Sequence, residues 1–332
     1  MASSLAEIRA KLLEAQNKSS GQSSGGDNAI YPHWNMTEDK EAVIRFLPDG
    51  DESNTFFWVE RQMIKLPFSG IKGDVNSRPV IVQVPCIEMY GDGAVCPILT
   101  EVRAWFKDKS LEELGRKYWK KKSYIFQGFV TEDALKEEKP PENPIRRFII
   151  GPQIFQIIKS ALMDPELDEL PIHYLKGIDF RIAKSSKGGF ADYSVSKWSR
   201  RERALSDAEQ NAIATHKLFN LSEFLPKRPT EADLKAMVEM FEASVDGEAY
   251  DLERWGQHFK PAGMSQNTGD PNKATRTQSA PTPAPARVSA PATIDPDIDA
   301  DESVPWEAPV TTTASQPASR AQDIMAMIRN RK

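Results

Sequence analysis

The chain has 332 residues, a formal net charge of −5 and two cysteines. So few cysteines exclude a disulfide scaffold and indicate a reducing compartment. Because the sequence contains no run of 18 apolar residues and no apolar signal core, we expect a soluble intracellular protein without a membrane partner.

Composition divides the chain into three parts. Residues 1–28 are rich in Ser, Gly, Ala and Lys, and residues 263–332 are rich in Pro, Ala, Thr, Ser and Asp. Neither end can bury enough apolar surface to offset its ordering entropy, so we predict disordered ends around a core at residues 29–262. Cations cluster within this core, whereas residues 288–319 contain only carboxylates among their charged side chains, which predicts a basic face and an acidic tail.

The first predicted element is a short amphipathic helix from Ser3 to Glu14. Ser4 and Glu7 have the spacing of a capping box, and an apolar stripe is flanked by cations; its key residues are Leu5, Ile8, Arg9 and Leu12. A helix this short is marginal alone. We therefore expect it to dock on a partner, with packing on its own body as the alternative.

The core opens with a predicted strand at residues 41–48, a turn at 48–51 and a returning strand at 56–59. Arg45 interrupts the apolar run of the first strand. Since a buried arginine needs a partner, we expect it to pair with a carboxylate; the alternative is that it points into a groove.

A further strand at residues 80–84 leads to Cys86 and Cys96 beside a glycine-rich turn. The spacing is similar to that of a metal knuckle, but structural zinc needs four ligands and no histidine or third cysteine is near. We therefore expect buried free thiols and no cofactor.

The sequence Y-W-K-K-K-S-Y-I-F-Q-G-F-V at residues 118–130 carries the main functional signal. From Ser123 it reads as a strand that places Tyr124 and Phe126 on one face. Lysines can replace counterions along phosphates, and aromatic rings can stack on unpaired bases. The alternative is an edge strand with solvated lysines and core aromatics.

The remaining elements alternate strands and helices. Helices are predicted at 99–109, 110–114 and 153–163, strands at 145–151 and 177–184, and a hairpin loop at 185–189 before a returning strand with Phe190 and Tyr193. Helical segments at 206–217, 221–224 and 230–243 are interpreted as structural cover. The tail ends in a second short amphipathic helix at 321–329.

Four motifs together resemble a known family: A-V-I-R-F-L-P at 42–48, the basic and aromatic strand at 120–126, R-R-F-I-I-G at 146–151 and G-F-A-D-Y-S at 189–194. They are similar to the single-stranded-DNA-binding, helix-destabilising proteins of T-even-like tailed phages. The resemblance covers residues from about 5 to about 245. It implies an α+β protein with an OB-fold β-barrel core, an inserted cysteine-bearing subdomain at about residues 60–110, a helical C-terminal cover and a disordered acidic tail.

The resemblance also implies site residues and partners. The DNA-binding residues would be Arg45, Arg103, Trp105, Tyr118, Trp119, Lys120, Lys121, Lys122, Tyr124, Phe126, Arg146, Arg147, Phe190 and Tyr193. The N-terminal arm would dock on the next protomer for cooperative filament growth, and the tail would recruit replication and recombination proteins. Cys86 and Cys96 match two of four family zinc positions, but Gly73 and Leu99 stand at the others, so we expect apolar packing there instead of zinc.

We therefore expect a non-enzymatic, largely sequence-independent binder of single-stranded DNA in phage replication, recombination and repair, acting in the cytoplasm of an infected bacterium. The sequence contains no phosphate-binding glycine loop, no nucleophile paired with a base and no carboxylate cluster for a two-metal site. Two alternatives stay open at this stage. One is a protein–protein adaptor, and the other is a single-stranded RNA-binding OB protein.

Overall fold

The computed structural model describes residues 29–91, 93–137 and 140–261. The predicted N-terminal arm, including Leu5, Ile8, Arg9 and Leu12, and the whole predicted tail at 263–332 lie outside these residues. The strands are β1 Lys40–Phe46, β2 Val59–Phe68, β3 Val80–Pro85, β4 Lys121–Glu132, β5 Ile145–Ile150, β6 Ile178–Lys187, β7 Phe190–Asp192 and β8 Lys197–Glu202. The α-helices are α1 Pro97–Trp105, α2 Glu112–Tyr118, α3 Pro152–Leu162, α4 Asp207–His216, α5 Glu231–Val245 and α6 Leu252–Trp255.

The strands form one antiparallel sheet in the order β3-β2-β4-β1-β6-β7, with β5 also pairing with β4 and β8 with β6. The long strand β4 is central because it pairs with β2, β1 and β5. Gly128 permits the close approach of β1, since a Cβ at this position would lie 2.2 Å from the carbonyl oxygen of Arg45. The result is an α+β fold that is consistent with an OB-like core.

Two large hydrophobic clusters form the interior. The first, which we call the barrel cluster, is enclosed by β1, β4, β5, β6 and α3; it includes Phe46, Phe126, Phe148, Ile154 and Phe180. The second, which we call the cysteine cluster, contains Cys86 and Cys96 and is built from β2, β3, α1, α2 and α5. Because α5 and α6 also contribute to the cysteine cluster, it extends well beyond residues 60–110. The predicted inserted subdomain stays a prediction.

Most predicted elements are present, with shifts of a few residues at their ends. The strand predicted at residues 56–59 is wrong, because this aromatic stretch lies mainly in a loop and β2 begins at Val59. The helical segment at Leu221–Phe224 is a 3₁₀ helix. No helix in the described parts of the chain is long and apolar enough to cross a membrane.

Candidate nucleic-acid interface

Arg45 of the motif at 42–48 is fully buried. Its guanidinium donates hydrogen bonds to the Asp179 carboxylate at 3.2 Å and to the carbonyl oxygens of His173 and Arg203. A glycine at position 177 makes room, because a Cβ there would lie 2.6 Å from a guanidinium nitrogen. Burial lowers the pKa of Arg45, and Asp179 opposes this shift. The pairing with a carboxylate is confirmed, and the side chain is fully buried in this structure. The predicted contact of Arg45 with DNA stays a prediction.

The same carboxylate joins Arg45 to a larger ion-pair network. Arg203 binds Asp179 at 3.0 Å and Glu209 at 2.7 Å, and Glu209 also caps α4 through Ser206. Burial raises the pKa of Glu209, but hydrogen bonds from Arg203 and Ser206 outweigh this effect, so the pKa is lowered overall. The network therefore fastens β1, β6 and the start of α4 together.

Arg146 and Arg147 of β5 are also nearly buried. Arg146 pairs with Glu137 at 2.7 Å, and its guanidinium lies 5.5 Å from the centroid of the Tyr31 ring. The guanidinium of Arg147 lies 3.5 Å from the centroid of the Phe224 ring, and burial lowers the pKa of Arg147 to about 10. A carboxylate and a ring thus hold Arg146 in the interior, and aromatic rings hold Arg147 there; their predicted contact with DNA stays a prediction.

Most of the predicted stacking rings are likewise in the interior. The buried set is Trp105, Tyr118, Trp119, Phe126 and Tyr193. Phe126 packs 4.9 Å from Phe46, and Trp105 stacks 5.6 Å from Phe241 between ring centroids. Burying a large apolar ring stabilises the fold by about 1.5–3 kcal/mol, which favours core positions. These five rings and Tyr124 are thus buried in the core, and their predicted contact with DNA stays a prediction.

The three lysines lie where the cysteine cluster and the barrel cluster meet, since β4 begins directly after α2. Lys121 and Lys122 are opposite Met63 and Gln62 of β2. The Nζ of Lys120 lies 3.2 Å from Glu88, which also binds Arg103 at 2.6 Å, and the Nζ of Lys122 lies 3.6 Å from Glu60. Lys120, Lys121, Lys122 and Arg103 thus lie around the start of β4, with Lys121 on the opposite face of the strand from Lys122; we call this region the cationic junction.

The Glu88 carboxylate at the cationic junction is stabilised as an anion. Burial raises the pKa of Glu88, but hydrogen bonds from Arg103 and Lys120 outweigh it and lower the pKa overall. Ion pairs that remain partly exposed contribute little, typically about 0–1 kcal/mol. A phosphate can therefore compete for these cations at little cost to the fold.

An aromatic row runs beside the cationic junction. Phe56 lies 4.7 Å from Trp58, Trp58 lies 5.4 Å from Phe155 of α3, and Phe155 stacks on Tyr124 at 3.4 Å, all between ring centroids. Tyr124 is on the same face of β4 as Lys122, two residues away. Tyr124 and Phe155 are nearly buried, whereas Phe56 is 58 % exposed. In this row, the Phe56 ring is therefore exposed to solvent while the rings at the other end are buried.

Phe190 is the second exposed ring, with 79 % of its surface accessible. It lies in the β6–β7 hairpin, and Asp192 of the same hairpin accepts a hydrogen bond from Gln153 at the start of α3. Because α3 also carries Phe155, this helix links the Phe190 hairpin to the aromatic row. Among the aromatic residues predicted for the site, Phe190 has an exposed ring, whereas the others are buried.

The sequence pattern does not single out Phe56 and Trp58 as candidate site residues. They belong to the F-F-W run at 56–58, which follows Asn54 and whose pattern predicts a returning strand. Asn54 instead hydrogen-bonds the backbone of Phe56 and Trp58, which shapes a loop. An aromatic run directly after a turn could have indicated a displayed ring rather than a core strand.

The two cysteines do not fit a structural zinc site. The Cys86 thiol hydrogen-bonds the Cys96 sulfur, which also accepts from the amides of Ile87, Ile98 and Leu99; the pKa of Cys96 falls to about 6. The position expected for a further ligand is occupied by the fully buried Leu99, and Gly73 has no side chain to donate. No group of three or more potential ligands exists among the residues that the structure describes. Two thiols are short of the four ligands that structural zinc takes.

An antiparallel sheet with displayed rings beside clustered lysines is typical of proteins that bind unpaired nucleic-acid strands. In a comparison with known protein families, the model of the family described as gp32 DNA binding protein like matches residues 38–243. The chain belongs to this gp32-like DNA-binding family, which confirms the resemblance to the phage single-stranded-DNA-binding proteins. A comparison with curated protein sequences finds no significant match.

Proposed function

We propose that the protein binds single-stranded DNA across the cationic junction and the aromatic row. The observation that carries this proposal is the exposed Phe56 ring, which packs against Trp58 in an aromatic row that ends at Tyr124, two residues from Lys122. The lysines neutralise phosphates, and Phe56 stacks on a base at about 1–3 kcal/mol. Phe190 contacts a further base. Family membership supports single-stranded DNA as the ligand.

The buried arginines have a supporting role in this proposal. Arg45 ties β1 to β6, and Arg146 and Arg147 tie β5 to neighbouring segments, so they position the sheet that carries the lysines without touching the DNA strand. Binding needs no catalytic group and no metal. We therefore propose a non-enzymatic protein without a cofactor.

The wider roles follow from the family and from the ends of the chain. We propose that the N-terminal residues Leu5, Ile8, Arg9 and Leu12 contact a neighbouring copy along DNA, and that the tail recruits replication, recombination and repair proteins in the cytoplasm of an infected bacterium. Deletion of residues 1–20 tests the first role. It should leave affinity for a single site intact but change occupancy on long strands from clustered to random.

The central test compares oligo-dT with duplex DNA over a series of salt concentrations. Affinity for oligo-dT should be higher and should fall as salt rises, because phosphate binding releases counterions. Equal affinity for both ligands, or affinity that does not respond to salt, would contradict the proposal. A ribonucleotide oligomer of the same length measures the preference for DNA over RNA.

Trp58 provides a local reporter for the same experiment. Bases that stack on the aromatic row should quench its fluorescence, so Trp58→Phe should remove much of the quenching while retaining binding. Trp255→Phe is the matched control, because Trp255 is buried in the cysteine cluster, whereas Trp58 packs against the barrel cluster. Equal loss of quenching in the two variants would place the strand elsewhere.

A further inference from the structure

The connector between α3 and β6 displays an unusual number of apolar side chains. Met163 is 75 % exposed, Leu170 is 57 % exposed and Leu175 is 66 % exposed, and Tyr174 is also exposed. Four of the ten large exposed apolar residues in the described ranges thus fall within residues 163–175. Grouped apolar exposure of this kind marks an interaction surface more often than single exposed residues do.

Hydrogen bonds fix the shape of this connector. The Leu170 carbonyl accepts from the His173 amide at 2.9 Å, and His173 Nδ1 accepts from the amides of Leu175 and Lys176 at 3.2 and 3.0 Å. The Tyr174 carbonyl accepts from the Leu205 amide at 2.7 Å. The backbone is therefore tied to the core while the side chains of Leu170, Tyr174 and Leu175 stay in solvent.

The same connector is strongly acidic. Its carboxylates are Asp164, Glu166, Asp168 and Glu169. Only Glu169 among these four pairs with a cation in the described parts of the chain, binding Lys176 at 3.3 Å. A surface that combines exposed Leu and Met side chains with excess negative charge suits an amphipathic segment with positive charge. We call residues 163–175 the acidic connector.

The C-terminal end of this chain has that complementary chemistry. Residues 320–332 read R-A-Q-D-I-M-A-M-I-R-N-R-K, with four cations, one acid and the apolar residues Ile324, Met325, Met327 and Ile328. The N-terminal residues 1–28 have three cations and three acids, so they lack this excess charge. Residues 262–319 separate the described core from the C-terminal segment, and at about 3.4 Å per residue they can span on the order of 200 Å. Length therefore permits the segment to reach the acidic connector of its own chain.

We propose that residues 320–332 dock on the acidic connector of the same chain. Ile324, Met327 and Ile328 cover the exposed Leu170, Tyr174 and Leu175, while Arg329, Arg331 and Lys332 face the carboxylates of Asp164, Glu166 and Asp168. Docking returns the end of the chain to the core and closes residues 262–319 into a loop that carries the acidic stretch 295–307. This contact does not depend on DNA binding.

Carbodiimide cross-linking of the full-length protein tests the contact. The reagent joins the Lys332 amine to a carboxylate with loss of one water, so the expected product links Lys332 to Asp164, Glu166 or Asp168 in peptide mass maps. A mixture of ¹⁴N- and ¹⁵N-labelled protein should give cross-links within one isotope only. Mixed-isotope products would overturn the proposal by showing docking on a second copy. Links from Lys11 or Lys18 to the connector would overturn it by placing the N-terminal segment there.

Charge and apolar variants separate specific docking from chance contact. Arg329→Glu with Arg331→Glu keeps the reactive Lys332 and should lower the cross-link yield about tenfold. Adding Asp164→Lys and Glu166→Lys to that variant should restore the link through Asp168. Leu170→Ser with Leu175→Ser should also lower the yield, whereas Val75→Ser with Val95→Ser, at exposed sites elsewhere, should not. Equal yields in all variants with unchanged circular dichroism would refute the proposal.

Discussion

The arginine-bearing strands and the lysine-bearing start of β4 have similar compositions but opposite positions in the fold. Arg45, Arg146 and Arg147 stand within apolar strands and are buried against carboxylates, carbonyl oxygens or rings. Lys120 and Lys122 precede the apolar part of β4 and keep part of their surface in solvent. A cation within an apolar strand thus stabilises the fold through buried partners, whereas a cation at the start of a strand stays accessible to a ligand.

The largest expected effect comes from removing a buried arginine. Arg45→Ala leaves Asp179 and two carbonyl oxygens without their donor, so the free energy of unfolding should fall by about 3–5 kcal/mol. Denaturant titration measures the change. Arg103→Ala is the matched control, because Arg103 is 46 % exposed and its ion pair should contribute less than about 1 kcal/mol. A stable Arg45→Ala variant with lost DNA affinity would show that Arg45 is a contact residue.

Replacing Lys120, Lys121 and Lys122 with alanine tests whether the lysines at the start of β4 bind phosphates. Stability should change little, whereas the slope of log affinity against log salt should decrease by about 2, at about 0.7 for each phosphate contact on a single strand. Binding titrations with oligo-dT at several salt concentrations give the slope. Lys107→Ala with Lys109→Ala is the control, since both side chains are exposed outside the proposed surface. An unchanged slope in the triple variant would remove the lysines from the site.

The stacking contact is expected to be smaller. Phe56→Ala should weaken binding to oligo-dT by about 1–3 kcal/mol while leaving the salt slope unchanged, because it removes a ring and no charge. Leu252→Ala, at an exposed apolar position outside the aromatic row, should bind normally. A change in salt slope without loss of affinity at low salt would argue against a stacked base.

Lowering the pH should reduce the stability of the protein, because Glu209 loses its negative charge in the ion-pair network with Arg203. Its pKa is lowered in the folded protein, so its contribution to stability is present above the ordinary value of 4.5 and is lost as the pH falls below it. Glu209→Gln should therefore be less stable than wild type at neutral pH, with the difference shrinking below about pH 4.5. Unfolding free energies measured between pH 7 and pH 3 test this. A constant difference across this range would exclude the titration of Glu209 as the cause.

The smallest expected effect is that of metal removal. Because the cysteine cluster supplies two thiols and no further ligand, a chelator should not lower the melting temperature, and metal analysis should find no stoichiometric zinc. Chelated and untreated samples of the same preparation provide the comparison. A clear drop in melting temperature on chelation would show that ligands from outside the described residues complete a site.

The sequence by itself determined the order of the elements, because alternating apolar residues, capping residues and glycine turns are local signals. It also predicted that Arg45 pairs with a carboxylate, since the cost of burying a charge is general. Only the tertiary structure decided which rings face solvent. The residues Tyr124, Phe126, Phe190 and Phe56 are all aromatic in the sequence, and their exposure depends on what α3 and the neighbouring strands place against them. Whether a ring is buried depends on residues that are distant in the sequence. The local sequence pattern therefore could not distinguish the exposed Phe56 from the buried Phe126.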